Sequence, residues 1–129
     1  MATGEIAGQE YLVRLEALLI AAAREERVLT YAEAARALAL PPPHMIHRTA
    51  ELLEALMRHH AAAHMPQLAS LVVSKARAGL PAPGYFVLMG ELGLYRGPPD
   101  GPQARAFHAG EVAACFAAGA GVLYAPPPA

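Results

Sequence analysis

Only one cysteine, Cys115, occurs among 129 residues, so no disulfide can form within the chain. A reducing, cytoplasmic setting is expected. Neither sign of charge is in excess: the formal net charge is −1. A protein that coats DNA without preference is strongly basic, so any nucleic-acid role must come from a local patch. No apolar run is long enough to span a bilayer, and no membrane partner is expected. Met1–Glu10 carries Glu5 and Glu10 and no basic stretch, which argues against a secretory signal. The chain lacks the Gly-x-Gly-x-x-Gly, P-loop, nucleophile-elbow and His-Glu-x-x-His patterns, and no internal repeat is visible. With no motif for a nucleophile, a metal or a phosphate, the expectation is a non-enzymatic protein without a cofactor.

Apolar residues make up 55% of the chain, but many of them are alanine. Alanine raises helix propensity and buries little area, so the core must rest on Leu, Val, Ile, Met, Phe and Tyr. The length predicts one domain over residues 1–129, with a core over 10–118. A flexible tail is predicted over 119–129, where Gly119, Gly121 and Pro126 to Pro128 interrupt regular structure. Leu12, Leu15, Leu19 and Ala22 recur at helical spacing, with Leu18 widening the stripe. They predict a support helix over about 10–24. A second flanking helix follows a cap at Asp100, has Pro102 in its first turn and runs to about Ala118. Its inner side is expected to hold Ala109, Val112, Ala113 and Phe116, and Leu92, Leu94 and Tyr95 are expected to pack the preceding connection onto the body.

Between the flanking helices, Thr30 to Phe86 organises the chain. Thr30-Tyr-Ala-Glu33 has the form of a capping box, in which the Thr30 hydroxyl and the Glu33 carboxylate each accept the other's backbone N–H. The helix it starts runs to about Leu38, with Ala34, Ala35 and Leu38 inward. Pro41, Pro42 and Pro43 cannot continue it. A longer helix follows over about 44–63. Its apolar stripe is Ile46, Ala50, Leu53 and Leu56 or Met57, and His44, His47, Glu51, Glu54 and Arg58 face the other way. Leu68 to Val73 is short and rich in β-branched residues, and Tyr85 to Leu88 reads as its return strand. The fold class predicted is α+β and mainly helical. It has a winged helix-turn-helix-like core, a β-hairpin wing and flanking N- and C-terminal helices.

In such a core, the N-terminal end of the second helix enters the major groove. His44, His47 and Arg48 lie at that end. Lys75 and Arg77 lie at the hairpin tip, where a wing meets the phosphate backbone. These five are the candidate nucleic-acid-binding residues. Glu51 and Glu54, one and two turns further on, would repel phosphate, so the docking must be end-on or absent. Glu54 and Arg58 are spaced for a surface ion pair. Cys115, in Ala-Ala-Cys-Phe116, has no adjacent base to lower its pKa and reads as a small core residue. His60 and His64 stand four apart, but too few further ligands lie nearby to bind zinc, so no metal site is predicted.

Thr30-Tyr-Ala-Glu-Ala-Ala-Arg-Ala-Leu-Ala-Leu-Pro-Pro, then a helix, a Pro-x-Leu-x-x-Leu-Val-Val run and a Gly-x-Pro-x-x-Gly-Tyr-Phe86 close, resembles a small bacterial protein family. Its central half is similar to the DNA-binding domain of O6-alkylguanine-DNA alkyltransferases and alkyltransferase-like proteins. Those proteins have a Thr-Tyr-Gly-x-x-Ala helix start, a second helix, and a Pro-Cys-His-Arg strand before a glycine-rich wing. Here the strand reads Ala69-Ser-Leu-Val-Val-Ser74, without the reactive cysteine, and the chain has no tryptophan. The resemblance therefore implies DNA binding without alkyl transfer, with Arg48 nearest to the arginine those proteins insert into the stack. The expected partner is double-stranded DNA, bound through the second core helix and the wing. The alternative is a protein–protein interaction or self-association module on the same scaffold, as a homodimer or with another protein.

Overall fold

In the computed structural model, residues 3–119 are described, with side chains over 8–119. The order is α1 (Thr3–Arg24), β1 (Leu29–Thr30), α2 (Tyr31–Ala37), α3 (Met45–Ala62), β2 (Val72–Val73), α4 (Pro83–Glu91) and α5 (Gly101–Gly119). Short 3-10 turns occupy Leu68–Leu71 and Lys75–Arg77. Among the described residues the architecture is mainly helical with one small two-stranded sheet; both flanking helices are present, but α1 begins at Thr3, well before the expected start near residue 10.

The expected hairpin is absent from these elements. Val72–Val73 pairs in parallel with Leu29–Thr30, not with a return strand, in the register Leu29↔Val72 and Thr30↔Val73. Tyr85–Leu88 lies inside α4 instead. Pro83 suits the first turn of a helix. Burial then falls on Tyr85, Phe86, Leu88 and Met89, while Val87 is 59% exposed. That is helical spacing; a strand would alternate. Leu68–Leu71 is a 3-10 turn because all four side chains are buried, packed against α1, α3 and α5, with no neighbouring strand to pair with. This turn is the centre of the core.

α1 buries the expected Leu15, Leu19 and Ala22, whereas α5 buries a face shifted from the expected one. On α1 the buried set is Leu15, Glu16, Leu19, Ile20, Ala22 and Ala23, with Leu12 and Leu18 half-buried. On α5 it is Ala104, His108, Cys115, Ala118 and Gly119, while Ala109 and Ala113 face solvent. Alanine on two sides of α5 made its apolar stripe a weak guide. What selects the face is polar: His108 Nε2 donates to the Ser70 carbonyl at 2.7 Å, and Cys115 Sγ–H donates to the Gln67 carbonyl at 3.2 Å. Gly119 is not part of a tail. It closes α5 against α1, where a Cβ would sit 2.7 Å from the Ala23 Cβ. The rest of the expected tail lies outside the described residues. In the connection before α5, Tyr95 is buried between the rings of Phe86 and Phe107, Leu92 is half-buried, and Leu94 is exposed.

Candidate nucleic-acid interface

Two local features build the site. The first is the Thr30 capping box, present with both bonds: Glu33 N–H to Thr30 Oγ1 at 3.1 Å, and Thr30 N–H to Glu33 Oε1 at 2.8 Å. It starts α2 directly at the end of β1. The second is the parallel register. Because Thr30 lies opposite Val73, the start of α2 and the turn after β2 leave the sheet at the same end. Lys75 and Arg77 are thus carried beside α2 by the strand, not by a hairpin tip.

Between them and the start of α3 lies a cleft of about 570 Å³. Its floor is apolar, from Tyr31, Ile46, Ala50, Val73 and Pro83, and its basic side chains are Arg36, His47, Lys75 and Arg77. The tips of α3 and of the 75–77 turn, far apart in sequence, share this cleft. Glu33 is the one acid lining it. Hydrogen bonds from Thr30 hold its carboxyl below the usual range, with Lys75 and Arg36 adding to the effect. A small chamber of about 40 Å³ lies beside the cleft between α3 and α4, bounded by Tyr31, Glu54 and Tyr85. The Ala82 N–H donates to the Tyr31 hydroxyl at 3.0 Å, and burial raises that phenol's pKa.

The five candidates separate here. His47 and Lys75 are exposed basic residues of the cleft; His47 Nε2 lies 3.8 Å from Glu51. Arg77 lines it but is half-buried and engaged. Its Nη1 donates to Pro81 O at 2.9 Å, its Nη2 donates to Pro99 O, and its guanidinium lies over the Phe86 ring. Arg77 therefore supplies charge while holding the loop before α4 in place. Arg48 does not line the cleft: Nη1 donates to Pro41 O at 3.1 Å, which ties α3 to the proline break. His44 is the left-handed N-cap of α3 (φ 63°), makes no side-chain cap bond and lies outside the cleft lining.

Arg36 and Tyr31 were missed in the sequence. A signal for Arg36 existed, since it follows Glu33 by three on the polar face of α2. Ile46 and Ala50 were assigned to the core stripe of α3. Leu53, Leu56 and Met57 are buried as expected, joined by Thr49 and His60, but Ile46 is left 48% exposed on the cleft. Arg58 reaches Glu91 at 3.9 Å, not Glu54.

A second polar collection is hidden behind the site. His60 Nε2 lies 2.5 Å from Glu16 Oε2, joining α3 to α1, and both side chains are almost fully buried. His64, beyond the helix end, is exposed, so the two histidines four apart do not meet. Ser70 Oγ lies 2.6 Å from the Tyr85 hydroxyl. Gln67 Nε2 donates to Met57 O at 3.0 Å, and its backbone N–H serves the Glu111 carboxylate. Burial lowers the pKa of His60 and His108 and raises those of Tyr85 and Glu111. Among the described residues, no three His, Cys, Asp or Glu side chains gather as a metal site. No described helix is long and apolar enough to cross a membrane.

No family model, curated protein or solved structure matches the chain.

Proposed function

We propose that this protein is a non-enzymatic DNA-binding module in which α2 and α3 act as a helix-turn-helix. The turn at Lys75–Arg77, with the loop after it, takes the place of a wing. The observation that carries the reading is the convergence of Arg36, His47, Lys75 and Arg77 on one cleft from three separate segments. Cations gathered by the fold on a chain of near-zero net charge form a local patch, which is what such a chain needs to bind phosphate. The first turn of α3 adds to it, since it holds no acidic residue and no side-chain cap. Its unsatisfied N–H groups and the positive end of the helix dipole favour an anion.

Glu51 and Glu54 set the docking direction. They lie further along the exposed side of α3, Glu51 within 3.8 Å of the His47 imidazole, so a duplex meets the helix by its N-terminal end rather than along its length. A fluorescence-anisotropy titration of a random duplex at low salt is the direct test. Binding in the micromolar range that weakens steeply with salt supports the reading. A flat titration up to several hundred micromolar protein removes it.

A further inference from the structure

We propose that the groove between α2 and the start of α3 is a docking site for a short acidic amphipathic helix of a partner protein. The groove encloses about 460 Å³ beside the cationic cleft. Met45 and Ile46, 40% and 48% exposed, stand side by side on it as unburied anchors. Ala32, Ala35 and Ala39 form the facing wall, where small side chains let a second helix approach closely. The shape fits an occupant that places apolar side chains at successive turns.

Charge selects the kind of helix. Arg36 is the one charged residue lining the groove, and no acid lines it. Met45 and Ile46 are the first residues of α3, so the positive end of that helix opens onto the groove, with no acidic residue in the turn to offset it. Arg48 donates to the carbonyl of Pro41 on the groove wall and adds a second cation nearby. Carboxylates flanking an apolar stripe complement this surface, whereas lysines would be repelled. Single-stranded nucleic acid fits it less well, because no aromatic side chain lines the groove to stack a base. The groove shares Ala32, Arg36 and Ile46 with the cleft, but Met45 lines only the groove and Lys75 only the cleft, so variants at those two positions tell this inference from the nucleic-acid reading.

The test uses the full chain and three synthetic peptides of about four helical turns. One has leucines at helical spacing flanked by glutamates, one has lysines in place of the glutamates, and one is a scramble of the first. The Leu/Glu peptide is expected to bind saturably and at least about tenfold more tightly than the other two. Met45→Glu and Met45→Lys remove the same apolar contact with opposite charges. The Glu variant is expected to bind the Leu/Glu peptide at least about tenfold more weakly than the Lys variant. An acid in the first turn of α3 favours the helix, and a melting curve checks that the variant is folded. Lys75→Ala is expected to leave peptide affinity within about twofold, as a residue outside the groove. Equal binding of the Leu/Glu and scrambled peptides, no saturation, or equal affinity of the two Met45 variants would each overturn the proposal. So would a duplex oligonucleotide that binds the parent, is lost in Met45→Glu and meets no peptide competition.

Discussion

The open cleft and the buried centre behind it hold similar side chains under opposite conditions. In the cleft, His47 and Lys75 face water, and Arg36 is exposed on the same rim. In the centre, Glu16, His60, Gln67, Ser70 and His108 are buried, and each is joined to another element by a hydrogen bond. A polar group in water loses little by lacking a protein partner, whereas a buried one must find a partner or destabilise the fold. The centre therefore fixes how α1, α3, α4 and α5 sit around the Leu68–Leu71 turn. Arg77 holds the loop before α4, but Arg36 and Lys75 keep charge on the cleft that those hydrogen bonds do not use, and that charge is available to a ligand. Substitutions in the two regions should separate accordingly: stability from the centre, binding from the rim.

The largest effect should come from the centre. His60→Ala leaves the Glu16 carboxyl buried without its imidazole partner and empties the space the ring filled; a buried polar group left unsatisfied costs about 1–3 kcal/mol before the cavity is counted. Urea denaturation of parent and variant measures it. A loss well under 1 kcal/mol would break the contrast. Next comes Gly119→Ala, which puts a methyl into the contact with Ala23 where α5 meets α1. Overpacking there should cost about 1–3 kcal/mol, read as a lower melting temperature with the duplex salt slope unchanged in the folded protein.

The pH dependence should be smaller and of fixed sign. Burial lowers the pKa of His60 and His108, so as pH falls the unfolded chain takes up protons before the folded one does. The stability these groups allow is complete above about pH 6.5 and is lost as the pH falls from there toward their lowered folded values. Glu111 works in the opposite sense. Burial raises its pKa, so its contribution falls as pH rises through the raised value. In His108→Gln, the amide can still donate to Ser70 and does not titrate, so the loss below about pH 6.5 should be shallower than in the parent. An unchanged pH profile would mean that His108 is not held neutral by burial.

Much of the helical order was legible from local chemistry. The capping box at Thr30, the break at Pro41 to Pro43 and the alanine pair on α2 all act within a few residues, and the structure has each of them. Contacts between distant segments were not legible. Tyr85 to Leu88 is a short apolar run, and periodicity cannot separate strand from helix at that length. Its helical state depends on Pro83 and on the Ser70–Tyr85 bond, 15 residues apart in sequence. Glu16 and His60 look like surface residues because nothing near either one reveals the other, 44 positions away. At the site, His47, Lys75 and Arg77 were readable as cations at exposed ends, but the cleft that joins them comes from the β1–β2 register. Arg48 looked equally available and is instead engaged by the Pro41 carbonyl.

The smallest stability effect and the most direct test of binding meet at Lys75. It is exposed, so Lys75→Ala should change folding stability by no more than about 0.5 kcal/mol. The decisive measurement is the salt dependence of duplex affinity for the parent, Lys75→Ala and Arg36→Ala. If the cleft rim carries the phosphate contacts, each variant should bind all duplexes more weakly and flatten the log–log salt slope by about one unit. If both variants fold and keep the parent's affinity and slope, the Arg36–His47–Lys75 rim is not a nucleic-acid surface.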